Sequence, residues 1–213
     1  GEWVDSESKK KFKSLNPENN EPWVEVPKAS EKDIDIAVNA AQKAFDGSWP
    51  NLFPRERAKY LKAIANELRE NAELLGKIET IDTGKLFKET KTQANYIAEY
   101  YDYYAGLADK VEGTVLPIDK ANMQVITTRV PIGVVAAIIP WNSQMLLTAV
   151  KLAPALAMGN TIVIKSSELA PATLFEFGKL IEKTGIPKGV VNIISGSGEP
   201  CGKALTSHNF VER

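Results

Sequence analysis

The pattern of apolar and polar positions changes character near residue 111. Beyond residue 132, short apolar runs rich in Val, Ile and Ala alternate with longer amphipathic stretches. The runs at 133–139, 161–165 and 190–195 read as strands. Helices are predicted at about 144–158, at about 171–184 and from about 199 onward. Gly159 and the GIP sequence at 185–187 stop the first two helices. Apolar runs without alternation, separated by helices, predict an α/β fold with a parallel sheet and right-handed crossovers. The sheet is expected to stop at the strand near 190–195, leaving an edge that awaits another strand.

The first 110 residues are patterned differently. Residues 1–28 read as short strands around turns, with NPENNE (16–21) the clearest break. Ser30 suits a helix N-cap, Asp33 completes a capping box three residues on, and Gly47 ends the helix. Pro54 opens a second helix whose apolar face is Ala58, Leu61, Ala65 and Leu68. Helix continues to about Asp82, where DTGK breaks it, and resumes from about Lys88 to Asp109. Tyr96, Tyr100 and Tyr104 share one face of that last helix, a stripe expected to pack rather than to bind a cofactor. From Val111 the chain reads as a hairpin of two strands around IDKAN. The expected organisation is therefore 1–110, a hairpin at 111–131, and a βαβ part at 132–213. No internal repeat or low-complexity segment interrupts it.

Composition narrows the function classes. A net charge of −1 over 213 residues leaves no electrostatic footprint for nucleic acid. The one basic run, KKKFK at 9–13, alternates with Phe12 and Leu15 and reads as the wet face of an edge strand. No apolar run approaches the roughly 18 residues of a membrane helix. One cysteine and one histidine exclude a disulfide framework and a Cys/His zinc site, so no metal is expected. With no secretory leader pattern, the expected compartment is the cytoplasm.

In an open parallel sheet, ligands bind beyond the carboxyl ends of the strands. Three such ends carry PWN (140–142), KSSE (165–168) and SGSG (195–198). Asn142 has no useful pKa, but its amide can donate a directed N–H to a developing oxyanion. Equally, Asn opens helices well, so an N-cap is the plainer reading. Lys165 can bind a hydroxyl as a point charge, and Glu168 can accept from a ribose diol while repelling a 2′-phosphate. A solvated ion pair at a helix start accounts for the same residues. Gly196, Gly198 and Gly202 form G-x-G-x-x-x-G, one residue longer than the dinucleotide fingerprint, and an ordinary strand–helix turn explains them as well. Lys151, a lone charge in an apolar stretch, either snorkels or points into the site. Cys201 has no base in sight and reads as a small packing residue, and His208 as a surface or helix-end residue. Neither G-x-S-x-G nor a Walker A motif occurs.

Taken together, IIPWN, KLAPALAMGNTIVIKSSE, GIPKGVVNIISGSG and the opening GEWVDS resemble the NAD(P)-dependent aldehyde dehydrogenase superfamily. The resemblance runs along essentially the whole chain and implies a Rossmann-like sheet with flanking helices plus a hairpin arm for oligomerisation. It implies that Asn142 helps hold the oxyanion of a thiohemiacetal and that Lys151 matches a lysine of a proton relay in some members. It implies that Ile138, Ile139, Pro140 and Trp141 line the nicotinamide side, next to Asn142. Lys165 and Glu168 would hold the adenosine ribose, with Ser167 of the same motif, and Gly198 and Gly202 would lie near the adenine. The implied cofactor is NAD rather than NADP, the substrate an aldehyde, and the assembly a homodimer or homotetramer. One departure is Ser166, where the family's lysine motif usually has proline. The family's nucleophilic cysteine, base glutamate and catalytic domain would lie beyond Arg213, so the 213-residue chain alone is expected to be inactive. A non-catalytic nucleotide-binding module and a coenzyme-A acylating relative are the competing expectations.

Overall fold

A computed structural model describes residues 2–213. Gly1, the first residue of the GEWVDS motif, lies outside the described residues. The chain opens with an antiparallel pair, β1 (Lys11–Asn16) and β2 (Glu21–Pro27). Lys11 and Lys13 of β1 face solvent while Ser14 is buried, which is the edge-strand alternation expected of the basic run. Four helices follow: α1 (Glu31–Phe45), α2 (Pro54–Glu70), α3 (Ala72–Thr83) and α4 (Phe87–Leu107). Each boundary has a local cause. Ser30 and Asp33 form the reciprocal capping box of α1. Pro54 sits at the first position of α2, and Gly84 closes α3 at φ 75°.

On α4 the buried face is Ala94, Ile97, Ala98, Tyr101 and Ala105. The expected tyrosine stripe is thus offset by one position from the true core face. Tyr96 is half exposed, Tyr100 and Tyr104 flank the core, and Tyr101 is the fully buried ring. The hairpin that follows is short, with β3 (Val115–Leu116) paired to β4 (Val125–Ile126).

The parallel sheet consists of β5 (Val134–Ile138), β6 (Thr161–Ser166) and β7 (Val191–Ser195) in the order β5-β6-β7. Helix α5 (Gln144–Ala157) links the first two strands and α6 (Ala172–Lys183) the last two. Successive side chains of β6 point to opposite faces. Ile162 and Ile164 join the core under α2, α4, α5 and α6, whereas Val163 joins Ile34, Val38 and Ala41 of α1. Helices therefore cover both faces of the sheet, and each fully buried Leu, Ile or Phe contributes about 1.5–3 kcal/mol.

One expectation is corrected here, and one feature of the sheet was not foreseen. The helix predicted from about 199 begins late: Glu199 is extended (φ −116°, ψ 135°), and regular α7 covers only Lys203–Thr206. Pro200 disfavours helical geometry in the residue before it. Sheet growth also takes the other edge. Val211 bridges Val134 in parallel, Glu212 N–H donates to the Val134 carbonyl at 3.0 Å, and Ala136 N–H donates to that of Arg213 at 2.6 Å. The chain crosses back to the far side of β5 instead of extending beyond β7. The last residues therefore lie against β5 on the side away from β6, through one bridge and its flanking hydrogen bonds, and ligands of such sheets bind beyond the carboxyl ends of the strands.

Candidate functional site

The carboxyl end of β5 carries IIPWN. Ile139 is buried and anchors the segment, with its N–H donating to the Lys165 carbonyl at 3.0 Å. Ile138, Pro140, Trp141 and Asn142 are exposed. The N-cap of α5 is Ser143, not Asn142, which removes the plainer reading of the asparagine. Asn142 is exposed, one residue ahead of that N-cap position.

At the tip of β6, Lys165 is 97% buried along its length. Its Nζ donates to the Ser166 carbonyl at 3.1 Å and to Glu168 Oε2 at 3.3 Å. Glu168 keeps 44% of its side chain exposed, so the pair is neither sealed nor freely solvated. The tips of β6 and β7 meet in register at Ser166 and Ser195, whose buried hydroxyls have no partner among the described residues. Ser166 replaces the expected proline at a cost of one orphaned hydroxyl and leaves the strand intact.

Past β7 the glycines divide by cause. A Cβ on Gly196 would meet Cys201 Cβ and Sγ at 3.0 Å, so Gly196 is required by packing. A Cβ on Gly198 would meet nothing, and on Gly202 only the Lys165 stem, from 3.7 Å. Those two glycines instead leave open space beside the lysine. Cys201 lies beneath this turn, fully buried, with its thiol pushed up to about 11 by desolvation. It packs with Ile34, Val38 and Ala41 in the second apolar cluster.

These tips border one open cavity of about 430 Å³. Its walls are Ile138, Ile139 and Pro140 at and just past the end of β5, Lys165, Ser167 and Glu168 at and just past the end of β6, and Gly198 and Gly202 beyond β7. Thr206 of α7 completes the wall and was not foreseen, since its hydroxyl donates to helix carbonyls and nothing in the local pattern marks it. Trp141 and Asn142 stand outside this wall. Lys151 also lies away from it, exposed on α5, with Nζ donating to the Leu147 carbonyl at 3.4 Å. A larger hollow of about 870 Å³ opens between α1 and α7 beside Asp35, Lys203 and His208 and holds none of the expected site residues. His208 is less exposed than expected there, with Nε2 3.1 Å from Asp35 Oδ1. Among the described residues no His/Cys/Asp/Glu group could hold a metal, and no helix is long and apolar enough to cross a membrane.

The model of the aldehyde dehydrogenase family matches residues 3–213. The chain belongs to the aldehyde dehydrogenase family. It is 52% identical over 198 residues to (Z)-2-((N-methylformamido)methylene)-5-hydroxybutyrolactone dehydrogenase of Acinetobacter baylyi, covering 92% of this chain and 41% of that one. It is 44% identical to the mitochondrial aldehyde dehydrogenase family 2 member B4 of Arabidopsis thaliana, covering 100% of this chain and 40% of the relative. Among solved structures, betaine aldehyde dehydrogenase from Staphylococcus aureus in complex with NAD+ superposes with a TM-score of 0.96 at 37% identity. That match covers 99% of this chain and 42% of the other. The α/β, Rossmann-like reading of the sheet is thereby shown. This family member spans about two fifths of the length of the relatives it matches.

Proposed function

We propose that this chain supplies the adenosine-binding side of a nicotinamide cofactor site and an oxyanion donor for NAD-dependent oxidation of an aldehyde to an acid. The observation that carries the reading is the convergence of Lys165, Ser167, Glu168, Gly198 and Gly202 on one cavity beyond the sheet. The residues fit a dinucleotide. A buried ammonium and a half-exposed carboxylate, 3.3 Å apart, offer a donor and an acceptor to a ribose diol. The open space over Gly198 admits a flat base against the backbone. NAD+, when bound, is the hydride acceptor. The chain's own contribution is to seat it through Lys165 and Glu168, to shield one side with Ile139 and Pro140, and to direct the Asn142 N–H toward the reacting carbonyl. Lys151 is the weaker assignment: a role in proton relay needs a path from its exposed position on α5.

In the complete polypeptide that carries these residues, Lys165→Met is expected to raise the Kd for NAD+ about 10- to 100-fold, the loss of one charge-assisted bond. Glu168→Gln is expected to narrow the preference for NAD over NADP, because the carboxylate that repels a 2′-phosphate is gone. Isothermal titration with both cofactors checks the pair, and an unchanged NAD+ affinity in Lys165→Met would remove Lys165 from the site.

The hairpin is proposed as an oligomerisation arm, joining a part at 1–110 to the βαβ part at 132–213. Val115 and Ile126 are each more than 60% exposed on a sheet of only two strands, and Val130, just past it, is exposed to the same degree. Ile126→Glu is expected to lower the molar mass seen by light scattering, and an unchanged mass would set the arm aside.

A further inference from the structure

The serine that opens α5 does not cap it. An N-cap hydroxyl ordinarily accepts from an amide of its own first turn, but that of Ser143 makes no such bond. Instead it accepts from Lys85 Nζ at 2.8 Å, across 58 residues of sequence. Lys85 comes from the turn after α3, where left-handed Gly84 folds the chain back over the helix. Its ammonium is held from behind by Glu79 Oε1 at 3.4 Å. Glu79 is 97% buried, and burial pushes its carboxyl up despite the lysine beside it. A buried carboxylate at a fixed point on α3 thus holds a lysine, and the lysine holds the residue directly after Asn142.

We propose that Lys85 is a positioning residue: through Ser143 it fixes the backbone that aims the Asn142 amide. The inference rests on the oxyanion role proposed for Asn142. An oxyanion donor works only when aligned, and a displacement of about 1 Å can cost about 100-fold in rate. Without the Lys85 bond, the Ser143 hydroxyl is free to turn onto its own helix, and the loop ahead of it shifts. Glu79 acts at one remove, by limiting where the ammonium can sit.

The test is a set of variants in the complete polypeptide, read by kcat, by KM for the aldehyde and by the Kd for NAD+. Ser143→Ala leaves the Glu79–Lys85 pair intact, so it tests the link without disturbing the fold of α3. It is expected to lower kcat about 10-fold or more with little change in KM or in NAD+ affinity. Lys85→Met should match it, Lys85→Arg should recover part of the loss, and the double variant should lose no more than either alone. In an Asn142→Ala background, Ser143→Ala should have almost no further effect. Full kcat in Ser143→Ala, or the same fold loss with and without Asn142, would overturn the proposal while leaving the role of Asn142 standing. Native kcat in Asn142→Ala itself would overturn both. Should Lys85→Met fail to fold, Ser143→Ala alone decides.

Discussion

Asn142→Ala in the complete polypeptide is expected to lower kcat about 10²- to 10³-fold, with the Kd for NAD+ within a factor of two or so of native. The expectation follows from the position of the amide. Asn142 is exposed in the segment that leaves the carboxyl end of β5. It does not hold the N-cap position of α5, which Ser143 occupies. An exposed amide with no capping role can be truncated with little effect on stability, so the loss should appear in turnover rather than in folding. Asn142→Asp sharpens the test. The side chain keeps its shape, but a carboxylate faces the developing negative charge in place of a donor, so the loss should equal or exceed that of alanine. A kcat within threefold of native in both variants would remove Asn142 from the chemistry. Thermal melts of the same proteins separate this outcome from simple unfolding.

How much of this was legible beforehand depends on whether a feature is local. Uninterrupted apolar runs separated by helices mark strands of a parallel sheet, so PWN, KSSE and the glycines could be placed at strand ends before any coordinates. The capping box at Ser30 and the stop at Gly84 are local as well. The order of the strands is not. Nothing in HNFVER says that Val211 returns to β5 rather than extending past β7, because both edges offer the same backbone groups. The buried carboxylates were equally hidden. Glu79 and Asp82 continue the buried stripe of Ala72, Leu75 and Gly76 on α3, but as carboxylates they read as surface residues, and both are almost fully buried. Asp82 accepts from Ser14 at 2.6 Å, Trp23 at 3.1 Å and the amide of Ala172 at 2.8 Å, tying β1, β2 and the start of α6 together. Those donors lie 59 to 90 residues away in sequence, beyond the reach of any periodicity. Even so, desolvation outweighs them and pushes the Asp82 carboxyl above its ordinary range.

Trp49 is the strongest case of that kind, and truncating it carries the largest expected cost in stability. In the sequence it lies in GSWPNLFP, a stretch whose glycine and prolines read only as a connection. In the fold it is 1% exposed within the main core, on a single 3₁₀ turn at Trp49–Asn51, tilted against Tyr60 with ring centroids 5.8 Å apart. Its indole N–H donates to the Asn160 carbonyl at 2.9 Å. Asn160 in turn accepts at Oδ1 from the amides of Ile132, at 2.7 Å, and Gly133, at 3.2 Å. One indole therefore fills the core beside α2 and also fixes the turn that leads into β6 and the entry to β5. Trp49→Ala is expected to destabilise the fold by about 3–5 kcal/mol, the range for a large aromatic removed from a packed core. Trp49→Phe keeps most of the packing but leaves the Asn160 carbonyl without its donor, for a smaller loss of about 1–3 kcal/mol. Chemical unfolding of the three proteins gives the ranking. Hydrogen exchange should show protection at 132–136 falling first in both variants, because the start of β5 is what Asn160 holds. If Trp49→Ala unfolds within about 1 kcal/mol of native, the indole is not the pin that joins the helical layer to the strand that leads to Asn142.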